Sequence, residues 1–333
     1  MHESQELYID YCLDISRRSH LKVSPNPMVG ALIVHNGIIV SEGWHKEFGG
    51  PHAEVEAINN IPAQAKHLLK EATLFVSLEP CNHHGKTKAC TDLIIQSGIP
   101  HVVIAALDPN PIMSGKSVQI LLNAGIRVEG PIAQHKWEII NQTFRQNISK
   151  KRPYIVLKWA QSQDGFLSEM NGATKISNIY SDILVHKWRN ESDGILIGRR
   201  TLEIDNPKLN NRLWVGKDPK KFVLGSLKQQ KLKNFKISDN PPFPLILDSD
   251  IPIKQSLFDL YLNQNIGVLL VEGGHQLLSS LIEANLWDEA RVITNSNLEI
   301  EKGLIAPVAK GKCISKFVLE NDSICILTNN KAV

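Results

Sequence analysis

Three residues of this chain have the types and order of a metal centre: His52 in "PHAEVEA", and Cys81 and Cys90 in "LEPCNHHGKTKAC". One imidazole and two thiolates suit zinc, which takes nitrogen and sulfur ligands in a tetrahedron. Three protein ligands leave a fourth position for water, the mark of a catalytic rather than a structural site. Glu54 follows His52 by two residues, too close in sequence to be an easy co-ligand. It is placed instead to take a proton from water at the metal and redeliver it to a leaving amine. Two alternatives stay open on the residues alone. One is a structural site with His83 or His84 as fourth ligand; the other is a pair of core cysteines beside a helix-cap histidine.

These residues need elements to hold them. A helix starts at His52, Cys81 follows the strand "TLFVSLEP", and Cys90 opens the helix "CTDLIIQS", which Gly98 stops. Thiolates near helix N-termini are favoured by the dipole. Ahead of them, "ESQELYIDYCLDISRRS" spaces Leu7, Tyr8, Tyr11, Cys12 and Ile15 as a helix does. "VGALIVHNGIIVSEGW" reads as a hairpin around Asn36-Gly37. The strand "HVVIAALD", the helix "KSVQILLNA" ending at Gly125 and the strand "IRVEG" follow. Helix, glycine, strand recurs, which predicts right-handed crossovers and a layered α/β sheet.

The pattern breaks at the basic, polar "NISKKRP", and an apolar run restarts after Pro153. This predicts two domains, 1–147 and 151–333, consistent with a 333-residue chain at roughly 150 residues per domain. The second alternates again through "YIVLKWA", "SDILVHKWRNE", "DGILIG", "KKFVLGS", "PLILDS", "IGVLLVEGG" and "QLLSSLIEANL", and no fixed-period repeat relates it to the first. "SLKQQKLKNFKISDNPPFP" is polar and Pro-rich and reads as a surface excursion. In "VEGGHQLLSSL" a strand ends in two glycines and a helix opens, whose free N–H groups suit a dinucleotide phosphate. No Gly-x-Gly-x-x-Gly fingerprint supports a Rossmann fold.

Composition bounds the function. Apolar residues at 42% and charged residues at 21% read as a soluble globular protein. A formal charge of +3 and 6% aromatics argue against a nucleic-acid partner. The first residues carry no signal-peptide pattern and no apolar run approaches the roughly 20 residues of a membrane span, so a membrane partner is not expected and the expected compartment is the cytoplasm. Five cysteines in this length make no disulfide framework; Cys12, Cys313 and Cys325 read as core or surface thiols without partners.

His-x-Glu followed by Pro-Cys and a later Cys is the known signature of zinc deaminases of nucleobases. Most have Cys-x-x-Cys; here eight residues separate the cysteines. That expanded loop, with "PNPMVGALIV", "GWHKEFGGPHAEVEA" and "DPNP", resembles the bifunctional deaminase/reductase family of riboflavin biosynthesis. The resemblance continues through "LKWAQSQDG", "DGILIGRRTLEIDNPKLNNR" and "LLVEGG", nearly the whole chain. It implies an N-terminal cytidine-deaminase-like three-layer α/β/α domain and a C-terminal dihydrofolate-reductase-like α/β domain. It implies deamination of a diaminopyrimidinone ribosylamino phosphate at Zn2+, then NADPH-dependent reduction of ribosyl to ribityl by a homo-oligomer acting on small molecules.

The resemblance also carries roles to residues. Zinc falls to His52, Cys81 and Cys90 and the proton shuttle to Glu54, with Asn26, His45, His83 and Lys86 on the deaminase substrate. Ala160, Thr201, Asp205, Gly274, His275, Gln276, Leu277, Leu278, Ser279 and Ser280 match cofactor positions. Thr174, Arg189, Leu209, Arg212 and Glu272 match reductase substrate positions. The chain departs from the family at "GATKISN", at Gly225 and at "ITNSNLEIEKGLIAP". A nucleic-acid deaminase, or a deaminase with a non-catalytic second domain, is the alternative reading.

Overall fold

The structure is a computed structural model, and it describes residues 2–82, 89–170 and 174–329. The chain divides into two compact units, Met1–Lys151 and Arg152–Val333.

In the first unit, α1 (His2–Ser16) precedes the strands β1 (Gly30–His35) and β2 (Ile38–Trp44). They turn at Asn36 and Gly37, both at positive φ, as a two-residue hairpin with right-handed twist requires. The chain continues through α2 (Ala53–Asn59), β3 (Thr73–Val76), α3 (Cys90–Ser97), β4 (His101–Ile104), α4 (Lys116–Asn123), β5 (Arg127–Glu129), α5 (Gln134–Ile140) and α6 (Gln142–Lys150). The sheet order is β2-β1-β3-β4-β5, with β1 antiparallel to both neighbours and β3, β4 and β5 parallel. Ala57, Ile94 and Leu121 of α2, α3 and α4 pack with Ile33, Leu74 and Val102 on one face. Ile9 and Leu13 of α1 and Trp137 of α5 pack with Leu32, Phe75 and Val103 on the other. Helices cover both faces, which is why "ALIV" and "TLFV" are continuously apolar.

Two features of this unit differ from expectation. The strands β3 and β4 stop at Val76 and Ile104, and "SLEP" and "AALD" are loop. The polar stretch expected to break the pattern is α6, which buries Gln146 and Asn147 and ends with Lys151 in the left-handed region. A helix whose buried face is amide rather than apolar leaves little hydrophobic period to read.

The second unit comprises β6 (Tyr154–Ser162), β7 (Phe166–Glu169), α7 (Ile179–Asn190), β8 (Gly194–Gly198), α8 (Arg199–Asp205), β9 (Lys220–Leu224), β10 (Leu245–Leu247), α9 (Ile253–Gln264), β11 (Val268–Val271), α10 (His275–Glu283), β12 (Glu289–Asn295), β13 (Gly303–Ile305), β14 (Lys312–Leu319) and β15 (Asp322–Thr328). Its main sheet runs β10-β9-β8-β11-β6-β12-β15-β14, parallel through β12 and closed by the antiparallel β14–β15 hairpin. Leu257 and Leu260 of α9 and Leu278 and Leu281 of α10 pack on one face. Val185 and Trp188 of α7 and Leu202 of α8 pack on the other. The expected surface excursion is not wholly superficial: its short 3-10 turns bury Leu232 and Ile237 in that second core. Cys313 and Cys325 are not isolated either, since their Sγ atoms lie 3.4 Å apart across the β14–β15 hairpin. Among the described residues no helix is long and apolar enough to cross a membrane.

Candidate active sites

Gly43 in β2 sets the first site. A Cβ there would lie 2.3 Å from the Ala57 nitrogen and 2.5 Å from the Ala53 oxygen, so only glycine lets α2 lie this close to the strand. His52 is the N-cap residue of α2, Cys81 lies in the loop after β3, and Cys90 is the first residue of α3. His52 Nδ1 is 3.4 Å from Cys81 Sγ and 3.3 Å from Cys90 Sγ, and the three ligand atoms lie within 4.8 Å of one another. Zinc with bonds of roughly 2.0–2.3 Å holds tetrahedral ligands about 3.5 Å apart, so the set fits that ion. The Cys90 backbone N–H donates to Cys81 Sγ at 3.3 Å. Hydrogen bonding from Cys90, then from His52, brings the Cys81 thiol down to about 4, and the bond to Cys81 raises His52 to about 9.

Glu54 is buried beside these ligands and bonds to the Cys90 thiol. Burial, then the Cys81 charge, raises its carboxyl to about 7. His45 stands edge-on to His52 with ring centroids 5.5 Å apart. Its Nδ1 lies 2.9 Å from the Pro51 carbonyl oxygen, which only accepts, so Nδ1 carries the proton. Nε2 then accepts from the Asn26 amide at 3.2 Å. Burial lowers the His45 pKa, keeping the ring neutral. Asn26, His45, His52, Glu54, Cys81 and Cys90 thus share one place; His83 and Lys86 lie outside the described residues.

Two residues that pattern reading misses shape the loops around this site. The buried Glu79 carboxylate, in the same "LEPC" as Cys81, accepts the N–H groups of Asp108 at 3.2 Å and of Gly115 and Ser117 at 3.0 Å. It thereby ties the "DPNP" loop to the start of α4. Asn141 accepts from Met28 N at 2.7 Å and donates to Met28 O at 3.1 Å, fixing the "PNPM" segment. Proximity to Cys81 in "LEPC" is the one sequence signal for Glu79; Asn141 carries none.

In the second unit, Leu157 pairs with Val271 in the parallel register of β6 and β11, which sets Lys158 beside Glu272. Arg189, from α7, donates Nε and Nη2 to the two Glu272 oxygens at 2.8 Å each, and Nη1 to Asn210 O at 3.1 Å. Their side chains are only 12% and 10% exposed, so Arg189 is no solvated face residue. Burial would raise the Glu272 carboxyl, but Arg189 and Lys158 overcome it and hold it at about 2. A cavity of about 400 Å³ opens here, with Arg189, Leu209 and Arg212 in its walls together with Lys158, Lys175 and His186. Burial, then Arg189 and Arg212, lowers His186 to about 4, and its Nδ1 accepts the Arg212 N–H at 3.1 Å. Thr174 does not line the cavity; it closes the end of β7, where its Oγ1 accepts Glu169 N at 3.1 Å.

The positions that the resemblance gives to a dinucleotide lie on β6, in α8 after β8 and at the start of α10 after β11; open α/β sheets bind ligands at the carboxyl ends of their strands. Gly274 is the N-cap of α10, and its N–H donates to Thr201 Oγ1 at 3.0 Å. A Cβ on Gly273 would press on Leu277 at 2.9 Å, so the glycine keeps this turn tight. An open helix N-terminus behind a glycine turn fits a phosphate. His275 Nδ1 meets Ile305 O at 2.8 Å, and its Nε2 meets Ser279 Oγ at 3.3 Å. Gln276 and Ser280 are exposed, Ala160 lies on β6, and Asp205 ends α8. Leu277 and Leu278 are buried, with their side chains in the core beneath α10.

Comparison with known proteins follows the same division. The family model described as "Cytidine and deoxycytidylate deaminase zinc-binding region" matches residues 2–106, and "RibD C-terminal domain" matches residues 153–298. A riboflavin biosynthesis protein RibD of Aquifex aeolicus is 42% identical over 224 residues, 67% of this chain and 62% of that protein. This chain thus spans a little under two thirds of that relative's length. The RibD of Haemophilus influenzae is 31% identical over 341 residues, covering 92% of this chain and 88% of the relative. The chain belongs to the RibD riboflavin-biosynthesis family. A solved Acinetobacter baumannii RibD matches this RibD-family chain with a TM-score of 0.84 at 30% identity, over 98% of this chain and 99% of that one. The first unit is cytidine-deaminase-like, with a zinc-binding region, and the second is the dihydrofolate-reductase-like RibD C-terminal domain.

Proposed function

We propose that this RibD-family chain is a bifunctional enzyme. It hydrolytically deaminates a diaminopyrimidinone ribosylamino 5'-phosphate in its first unit and reduces the ribosyl chain to ribityl with NADPH in its second. The observation that carries the reading is the His52 Nδ1 atom 3.4 and 3.3 Å from two cysteine sulfurs, with the Glu54 carboxyl buried beside them.

His52, Cys81 and Cys90 would hold zinc, which supplies Lewis acidity and lowers the pKa of water. Glu54 takes a proton from the attacking water on its carboxylate and returns it to the departing amine. His45, with its proton on Nδ1, orients the Asn26 amide, which offers a donor and an acceptor to a pyrimidine edge. His83 and Lys86 complete that substrate set in this reading.

In the second unit, NADPH would lie along the start of α10 and supply hydride. Thr201 and Gly274 shape that start, and Ala160, Asp205 and the α10 residues His275 to Ser280 complete the cofactor set in this reading. Glu272 stays ionised and aligns Arg189, while Leu209 and Arg212 face the substrate. Thr174 belongs to the substrate set by resemblance, beside Lys175, which lines the cavity. The domains assigned are 1–147 and 151–333, in a cytoplasmic homo-oligomer.

Mass spectrometry of products from the diaminopyrimidinone phosphate tests this. The deaminated compound should form without NADPH and the ribityl compound only with it. Unchanged substrate in both would overturn the reading.

A further inference from the structure

Most cations around the second cavity are already answered by carboxylates. Arg189 is taken by Glu272, and Lys158 lies 3.9 Å from the same carboxylate. Lys175 pairs with Asp182, and Lys208 lies 3.9 Å from Asp239. His186 is neutral. Among the described residues, two charges in the cavity wall have no carboxylate partner. They are Arg212, whose Nη1 meets only the Asn210 amide oxygen at 3.2 Å, and Lys236. A phosphate monoester carries about −1.5 to −2 charges at neutral pH, which two such cations match.

Lys236 is held in place by its surroundings. It belongs to the excursion after β9, and the next residue, Ile237, is wholly buried. The Lys236 N–H donates to Asn206 Oδ1 at 2.8 Å. Lys221, on β9, is only 1% exposed. Its ammonium donates to Ile237 O and Asn240 O, both at 3.1 Å. A buried ammonium is costly unless it is hydrogen-bonded, and here both bonds go to the segment that carries Lys236.

We propose that Lys236 is a specificity-determining residue of the reductase site: with Arg212 it binds the substrate's phosphate, and the buried Lys221 is the positioning residue for its segment. The inference rests on the reductase reading above. It assigns the excursion, which the sequence presents as a surface detour, to the wall that selects a phosphorylated sugar.

The test compares full-length wild type, Lys236→Ala and Lys236→Arg in NADPH oxidation, on the deaminated phosphate and on its dephosphorylated nucleoside. Lys236→Ala should raise KM for the phosphate about 10-fold or more, the scale of one charge-assisted hydrogen bond, with kcat little changed. The nucleoside's KM should not move, and Lys236→Arg should restore most of the loss. Lys221→Met should give the same phosphate-selective effect in weaker form. An unchanged KM, or equal shifts on both substrates, overturns the assignment. Calorimetric titration with ribose 5-phosphate reads the contact without turnover: affinity should fall about 10-fold in Lys236→Ala, and equal affinities overturn the proposal. A wild type that oxidises no NADPH would refute the reductase reading, while the titration still decides on Lys236. Deamination by the same variants should be unchanged, which controls for folding.

Discussion

Glu54 and Glu272 are both enclosed carboxyls, and their neighbours drive them apart: burial raises the first to about 7, while Arg189 and Lys158 hold the second at about 2. Glu54→Gln should keep zinc in metal analysis yet lose deamination by about 100-fold or more, the scale of general acid–base catalysis. Zinc loss in that variant would reassign the residue as a ligand. Glu272 has a depressed folded pKa, so its stabilisation is present above the ordinary 4.5 and is lost as pH falls from there toward about 2. A shift of that size corresponds to about 3 kcal/mol. Glu272→Gln leaves Arg189 buried without its counter-charge, so at pH 7 its unfolding free energy from urea titration should fall below wild type by about 3–5 kcal/mol. The two curves should converge as pH falls toward 2. Parallel curves across that range would show that the pair contributes nothing. Arg189 matches a substrate position by resemblance, but the structure commits its Nε, Nη1 and Nη2 to Glu272 and Asn210. Its removal should therefore unfold as much as it unbinds.

At the scale of elements, the candidate zinc site depends on how closely one short helix lies on one strand. Gly43→Ala would push a methyl into the backbone of α2 at Ala53 and Ala57. That displaces His52 and Glu54 together, so zinc retention through dialysis should weaken and deamination fall about 10-fold or more, since misplacement of about 1 Å costs that much. Full zinc retention would show that α2 accommodates the methyl. The elements legible in the sequence are those with strong local signals: the Asn36-Gly37 hairpin, α3 with its left-handed Gly98, and the apolar strands between helices. The short α5 and α8, of seven residues each, carry too little periodicity to be read. The excursion misleads because two buried side chains, Leu232 and Ile237, among many polar ones make no period.

The proposed function gives the whole molecule two chemistries with different needs. Replacing an amine by oxygen uses a metal, whereas hydride transfer from a nicotinamide does not. Removing zinc with a chelator should therefore abolish deamination and leave reduction of pre-deaminated substrate intact. Metal loss also removes folding energy, so a fragment beginning at Arg152 serves as control and should still bind NADPH. If chelation stops both reactions while circular dichroism stays native, the division into a zinc half and a nicotinamide half is wrong.

Residue order alone pointed to the cluster of His52, Cys81 and Cys90, because each sits at the edge of a locally encoded element: His52 before a helix, Cys81 after a strand, Cys90 opening the next helix. The second domain's α/β class was legible for the same reason, from alternating apolar runs and glycine stops. Only the tertiary structure decided which proton His45 keeps, that Glu79 binds three distant N–H groups, and that Cys313 faces Cys325. It also decided that Arg189 answers Glu272 across 83 residues, leaving Arg212 and Lys236, among the described residues, as the cavity charges without a carboxylate partner. These facts depend on which groups meet once strands are in register, and no local pattern in the chain encodes a partner so far away.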